Sequence, residues 1–256
     1  MYNTTSFSIR QGFFMASTAA SHQPVDFVRP YTTVDVVIFS VLDGALKVLL
    51  VQRPASNSEP FPGRWALPGG FVDVAQDSDL QACANRKLRE KTNVASPYLE
   101  QLGSWGGRSR DPRGWSATHV YFALIAAQPL TLAKGANAAD VAWFEVDAIC
   151  DGPPLAFDHS EILRAAVDRL RGKVEYTSLP AFLLPEPFTL PQLQQVYETV
   201  LGRPVDKSGF RTRMLAAQFL HEAGHVEGPS NRPAMGYRLA DRSAPVVFPR
   251  TFSPRG

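Results

Sequence analysis

Apolar and polar positions form short β-branched runs in the first part of the chain and helical spacings in others, so strands and helices are expected to mix. Residues 33–42 (TVDVVIFSVL) and 45–53 (ALKVLLVQR) flank Asp43 and Gly44, a tight-turn pair, which predicts a hairpin. Residues 54–62 form a loop, and 65–71 (WALPGGF) carry two glycines that let the backbone approach a ligand closely. Strands are predicted at 98–105, 115–126 and 141–146, with a polar, turn-rich loop at 106–114 (GGRSRDPRG). Leu80, Ala84 and Leu88 recur at a spacing of four, and 160–171 (SEILRAAVDRLR) reads as a second helix. Strands around helices predict an α+β unit, a mixed sheet with helices on its faces. No internal repeat is visible.

The pattern shifts after Lys173. Residues 179–188 (LPAFLLPEPF) are apolar and proline-punctuated, a connector with room for one short helix. In 190–201, Leu193, Val196, Tyr197 and Val200 stand at helical spacing. A turn at 202–205 leads to Asp206, an N-cap candidate for a helix over 207–220 with Phe210, Met214, Ala217 and Phe219 as its core positions. Lys207, Ser208, Arg211 and Thr212 share the exposed N-terminal face of that helix, where a recognition helix would meet the DNA major groove. Strands at 221–226 and 235–239 would enclose a wing at 227–234 bearing Asn231 and Arg232, with Arg203, Arg213 and Arg238 as further basic candidates. The pattern predicts a C-terminal winged helix-turn-helix domain; a small helical dimerisation or lid module is the alternative. The boundaries expected are 1–26 disordered, 27–173 the first domain, 174–243 the second and 244–256 a flexible tail.

Composition narrows the class. With 45% hydrophobic and 20% charged residues in 256, the chain reads as one large or two modest soluble domains. No apolar run approaches a membrane span, and the N-terminal stretch lacks the basic start and apolar core of a signal peptide; Met15 is a second candidate start. Two cysteines, Cys83 and Cys150, exclude a disulfide scaffold and fit a reducing cytoplasm. Net charge is +2, but nine basic against four acidic residues from Gly202 onward put +5 on the C-terminal part and leave −3 on the rest. A basic end on an acidic body suits a polyanion partner.

The helix after Gly69 and Gly70 carries the chemistry. Asp77 or Ser78 is expected to cap it, and Asn93, which tolerates the left-handed conformation, to end it. Lys87, Glu90 and Lys91 share one face beside Arg86. In outline this stretch resembles a Nudix box with its metal-binding glutamates replaced by Lys87 and Lys91. Two ammonium groups cannot ligate Mg²⁺, but they can neutralise phosphate directly. The site is expected to bind a diphosphate without cleaving it, and to need no metal or cofactor. Arg108, Arg110, Asp111 and Arg113 lie in a loop suited to diphosphate or carboxylate by bidentate hydrogen bonding, or simply to solvent.

Taken together, LPGGFVD (67–73), LREKT (88–92), DPRG (111–114), LAFDHSEIL (155–163) and the tail motifs EPFTLPQLQQVYETVLGRPVDKSGFRTRML and NRPAMGYRL resemble the Nudix-related transcriptional regulators of NAD metabolism, the NrtR family. The resemblance covers roughly 28–239. It implies a homodimeric repressor with an N-terminal Nudix-like effector domain and a C-terminal winged helix. Such a repressor binds palindromic operator DNA near NAD biosynthesis or salvage genes and responds to ADP-ribose or a related nucleotide. The implied effector site comprises Arg53, Arg64, Trp65, Gly69, Gly70, Phe71, Arg86, Lys87, Glu90, Arg108, Asp111 and Arg113. The competing expectation is an active nucleoside-diphosphate hydrolase whose metal would be held by Glu90 with Asp73 or Asp77.

Overall fold

Strands β1 (Tyr31–Leu42) and β2 (Ala45–Gln52) form the expected hairpin, with Asp43 and Gly44 both at positive φ in its turn. They belong to a computed structural model that describes residues 28–93, 98–127, 138–227 and 233–252. Short strands β3 (Trp65–Ala66) and β4 (Gly69–Phe71) follow, then α1 (Leu80–Thr92), β5 (Tyr98–Gly107), β6 (Ser116–Leu124) and β7 (Asp140–Glu145). Together they make a seven-stranded sheet in which β1 runs parallel to β6, pairs with β4 along its first residues, and meets β2 beyond. Helices α2 (Val146–Cys150) and α3 (His159–Val174) come next.

Period-two alternation along the central strands divides the core. Val34, Val36 and Ile38 of β1 pack with Leu49, Val51, Tyr121 and Ala123 under Cys83, Ala84 and Leu88 of α1. The opposite-facing Val37, Phe39, Val48, Leu50, Phe122 and Leu124 pack under Ile162, Leu163, Ala166 and Leu170 of α3. That second cluster continues without a break into the C-terminal unit.

The C-terminal unit begins with a 3-10 turn (Leu179–Leu183) and the short strand β8 (Phe188–Thr189). Helix α4 (Leu190–Leu201) starts at a capping box, Thr189 with Gln192, and stops at Gly202, whose φ of 68° suits a residue without a Cβ. Helix α5 (Lys207–Ala216) is capped by Asp206, and β9 (Leu220–Glu227) with β10 (Pro233–Leu239) completes a sheet ordered β8-β10-β9. This is a winged helix.

Several boundaries differ from expectation. The α1 cap is Asp79, which accepts from Ala82 N–H at 2.7 Å, because the Asp77 carboxylate is taken by Arg86. Val146 opens α2 instead of ending a strand. Helix α5 stops at Ala216, not Leu220, since Gln218 turns to φ 52° and the chain enters β9. Residues 244–252 do not hang free. Ser178 and Val246 exchange hydrogen bonds, Phe248 N–H donates to the Tyr176 carbonyl and Phe252 N–H to the Glu175 carbonyl. Phe248 is buried, and Phe252 packs on Tyr197 and Phe210. The rings of Phe248 and Phe252 give this strap its footing.

Candidate functional site

A cleft of about 630 Å³ opens between α1, β4 and the loop before β6. Its walls carry six cationic side chains, Arg53, Arg86, Lys87, Lys91, Arg110 and Arg113, against four carboxylates, Asp35, Glu59, Asp73 and Asp111. An excess of positive charge in a walled cleft favours an anionic ligand.

The backbone shapes one wall. Gly69 lies opposite Asp35 across the β1–β4 ladder, so close that a Cβ there would overlap Asp35 Oδ1 and come within 2.7 Å of the Val34 carbonyl. Gly70 has φ 149°, and a Cβ on it would stand 3.2 Å from Lys87 Nζ. The glycine pair therefore lets β4 lie flat on β1 and brings the Lys87 ammonium over the strand.

The floor is a buried polar cluster. Thr118 Oγ1 donates to Asp35 Oδ2 at 2.7 Å, with His159 Nε2 at 3.5 Å and an Arg110 nitrogen at 3.8 Å. Burial alone would raise the Asp35 pKa. Hydrogen bonds from His159 and Thr118, with the nearby Arg110 guanidinium, outweigh burial and hold it below the usual carboxylate range. His159 Nδ1 accepts from Leu67 N–H at 2.9 Å, which fixes the ring. Arg110 is clamped bidentately by Asp158 at 2.9 and 2.8 Å and also reaches Ser116.

Acidic partners also set the other arginines. Arg113 is forked onto Asp111 at 3.0 and 2.7 Å with its guanidinium over the Phe71 ring. Arg53 pairs with Glu59 and lies over Phe157. Arg86 is held by Asp77 at 2.7 and 2.6 Å and by Glu90 at 2.8 Å. Such fixed planar cations meet phosphate oxygens with little ordering cost. Lys91 is buried, and desolvation lowers its pKa despite Glu90 nearby.

Eight expected effector residues line this cleft: Arg53, Gly69, Gly70, Phe71, Arg86, Lys87, Asp111 and Arg113. Four do not. Arg64 is exposed with its guanidinium over Phe61. Trp65 points to the other sheet face, against Phe144 at 4.7 Å, because its neighbour Ala66 takes the cleft side. Glu90 lies on the outer side of α1, bridging Arg86 and Lys87, and Arg108 projects into solvent. Asp35, Lys91, Phe157 and His159 line the cleft outside the expected set. A charged residue inside the apolar run TVDVVIFSVL was the available signal for Asp35.

The donor set does not fit the divalent cation that a Nudix box implies. Its face offers Lys87, Glu90 and Lys91, and among the described residues no three His, Cys, Asp or Glu side chains converge.

On α5, Lys207, Ser208, Arg211 and Thr212 are exposed while Phe210 and Met214 are buried. Arg238 on β10 is also exposed. Arg203 and Arg213 face inward instead. Arg203 pairs with Glu175 at 2.6 Å, and Arg213 donates to the Thr251 carbonyl with its guanidinium 4.0 Å from the Phe252 ring centroid. Asn231 and Arg232 lie outside the described residues.

The architecture is that of a Nudix domain joined to a DNA-binding winged helix. Residues 31–166 match the NUDIX domain family and residues 180–239 the NrtR DNA-binding winged helix domain. The chain belongs to the NrtR family. It is 43% identical over 244 residues, 95% of this chain and 94% of the relative, to the ADPR-responsive transcriptional repressor of Acinetobacter baylyi. Shewanella oneidensis NrtR, crystallised with a 27mer DNA, superposes with a TM-score of 0.78 at 42% identity, covering 87% of this chain and 99% of that one. The Nudix domain of the same Shewanella protein, crystallised with ADP ribose, gives 0.53 at 44% identity over 59% of this chain and 95% of that one.

Proposed function

We propose that the protein is a transcriptional repressor of NAD biosynthesis or salvage genes that senses ADP-ribose in its Nudix cleft. The observation that carries this reading is one chain holding both parts: a cleft walled by pre-set arginines and lysines, and a winged helix with an exposed basic and hydroxyl face. The 43% identity to an ADPR-responsive repressor spans both. As a homodimer it would present two α5 helices to half-sites of a palindromic operator one DNA turn apart. ADP-ribose would favour a dimer geometry in which the helices no longer match that spacing, and it can shift the equilibrium only by its differential affinity for the two geometries.

In the cleft, Arg113 and Arg53 would meet the diphosphate oxygens, with Lys87 and Lys91 supplying charge where a hydrolase holds metal. Lysines at those positions support binding without turnover. In the cell the protein would act in the cytoplasm, beside the operator; among the described residues no helix is long and apolar enough to cross a membrane.

The test is anisotropy of a labelled duplex from upstream of NAD genes, titrated at two salt concentrations with and without ADP-ribose. Salt-sensitive binding that survives nonspecific competitor and weakens with ADP-ribose is expected. Mg²⁺-dependent cleavage of ADP-ribose by the wild-type protein at ordinary enzyme rates would overturn the sensing role. Activity gained only by a Lys87→Glu, Lys91→Glu double variant would identify a lost catalytic face.

A further inference from the structure

Helix α5 buries Phe210 and Met214 and turns its opposite side outward. Ser208, Thr212 and Leu215 stand at i, i+4 and i+7, the spacing of a single helical stripe, and all three are exposed. Lys207 and Arg211 flank this stripe on one side. Leu215 is the feature that charge-based reasoning passes over. It is a large aliphatic side chain, 42% exposed, on the helix that follows the turn of a helix-turn-helix.

The interior of the unit already holds Phe210, Met214, Phe219 and Tyr237, so Leu215 is not needed to fill the core. A phosphate-facing position would favour a cation or a hydroxyl. In the major groove the one apolar handle a base offers is the thymine C5-methyl, and it is read by aliphatic and threonine methyl groups.

We infer that Leu215, with the methyl of Thr212, is a specificity-determining contact that reads a thymine methyl in each operator half-site. Lys207 and Arg211 hold the phosphates or base edges beside it. This rests on the repressor reading above and extends it to the chemistry of one base position.

The experiment starts from duplexes that the full-length protein enriches from a random-sequence pool. Each thymine of the consensus is then replaced by deoxyuridine, which removes only the C5-methyl. At one symmetry-related position, wild-type affinity is expected to fall about fourfold per half-site, the worth of one buried methyl group. Leu215→Ala should bind the thymine duplex correspondingly more weakly and lose its response at that position, while Leu215→Met retains it. An unchanged unfolding midpoint and salt slope in Leu215→Ala would exclude a folding defect. Equal methyl sensitivity in wild type and Leu215→Ala, or no sensitivity anywhere in an enriched consensus, overturns the inference and leaves the repressor standing. A pool that yields no consensus overturns the repressor reading itself.

Discussion

A methyl group on Gly69 would collide with the Asp35 carboxylate and the Val34 carbonyl, and the second of these is backbone in a central strand. Gly69→Ala therefore forces Asp35 off Thr118, and overpacking of this kind costs about 3 kcal/mol at its upper end. Urea unfolding should show a loss of that order, with weaker ADP-ribose binding in the molecules that still fold. Asp77 offers a test in pH. The Arg86 guanidinium holds its carboxyl well below the usual range, so the folded chain keeps it ionised where the unfolded chain begins to protonate. Its stabilisation is present above the unfolded pKa, about 3.9, and is lost as pH falls toward the folded value. The melting temperature of wild type over Asp77→Asn should thus hold a constant margin from about pH 5 to 8 and shrink below about pH 4. A margin that changed near neutrality would contradict this pairing. Residue identities announced much of the cleft, since GGF and the box arginine and lysine can be read directly. They did not announce Trp65 turning away or Asp158 engaging Arg110, because the face of a two-residue strand and the partner of a side chain 48 positions distant depend on packing.

Among the elements, helix α5 shows how local signals fix a structure and where they stop. Asp206 accepts from Gly209 N–H at 2.6 Å and satisfies one of the free donors at the start of α5. Asp206→Ala should lower stability by about 1 kcal/mol and weaken DNA binding, read by thermal melts and anisotropy. ADP-ribose affinity should not move, since α5 takes no part in the cleft. The hairpin, the helix end at Asn93, the turn after α4 and the order of the longer strands and helices were legible because turn and cap chemistry is local. The end of α5 was not. Phe219 and Leu220 continue the helical spacing, yet pairing of Leu220 with Leu239 draws the chain into β9.

For the molecule as a whole, the strap at 244–252 is the long-range feature that the expectation of a flexible tail missed. It ties the residues after α3 to α5 through Glu175, Tyr176 and Ser178 on one side and Arg213 on the other. Phe248→Ala should cost about 3–5 kcal/mol, as expected for a buried aromatic ring cut back to a methyl. Because the strap footing adjoins α5, the same variant should impair DNA binding more than ADP-ribose binding. An isothermal titration with ADP-ribose beside a duplex anisotropy series would separate the two effects. The division of the core by the central sheet has a further consequence for building gene switches. The cleft wall built on α1 stands on one side of β1 and β2, and the residues that seat the winged helix lie on the other, where Asp35 and His159 of the cleft floor also lie. Cleft walls can therefore be redrawn for a different metabolite while the footing of the DNA reader is left as it is. An engineer who wants a new inducer for an existing promoter would vary the α1 side and keep the α3 side.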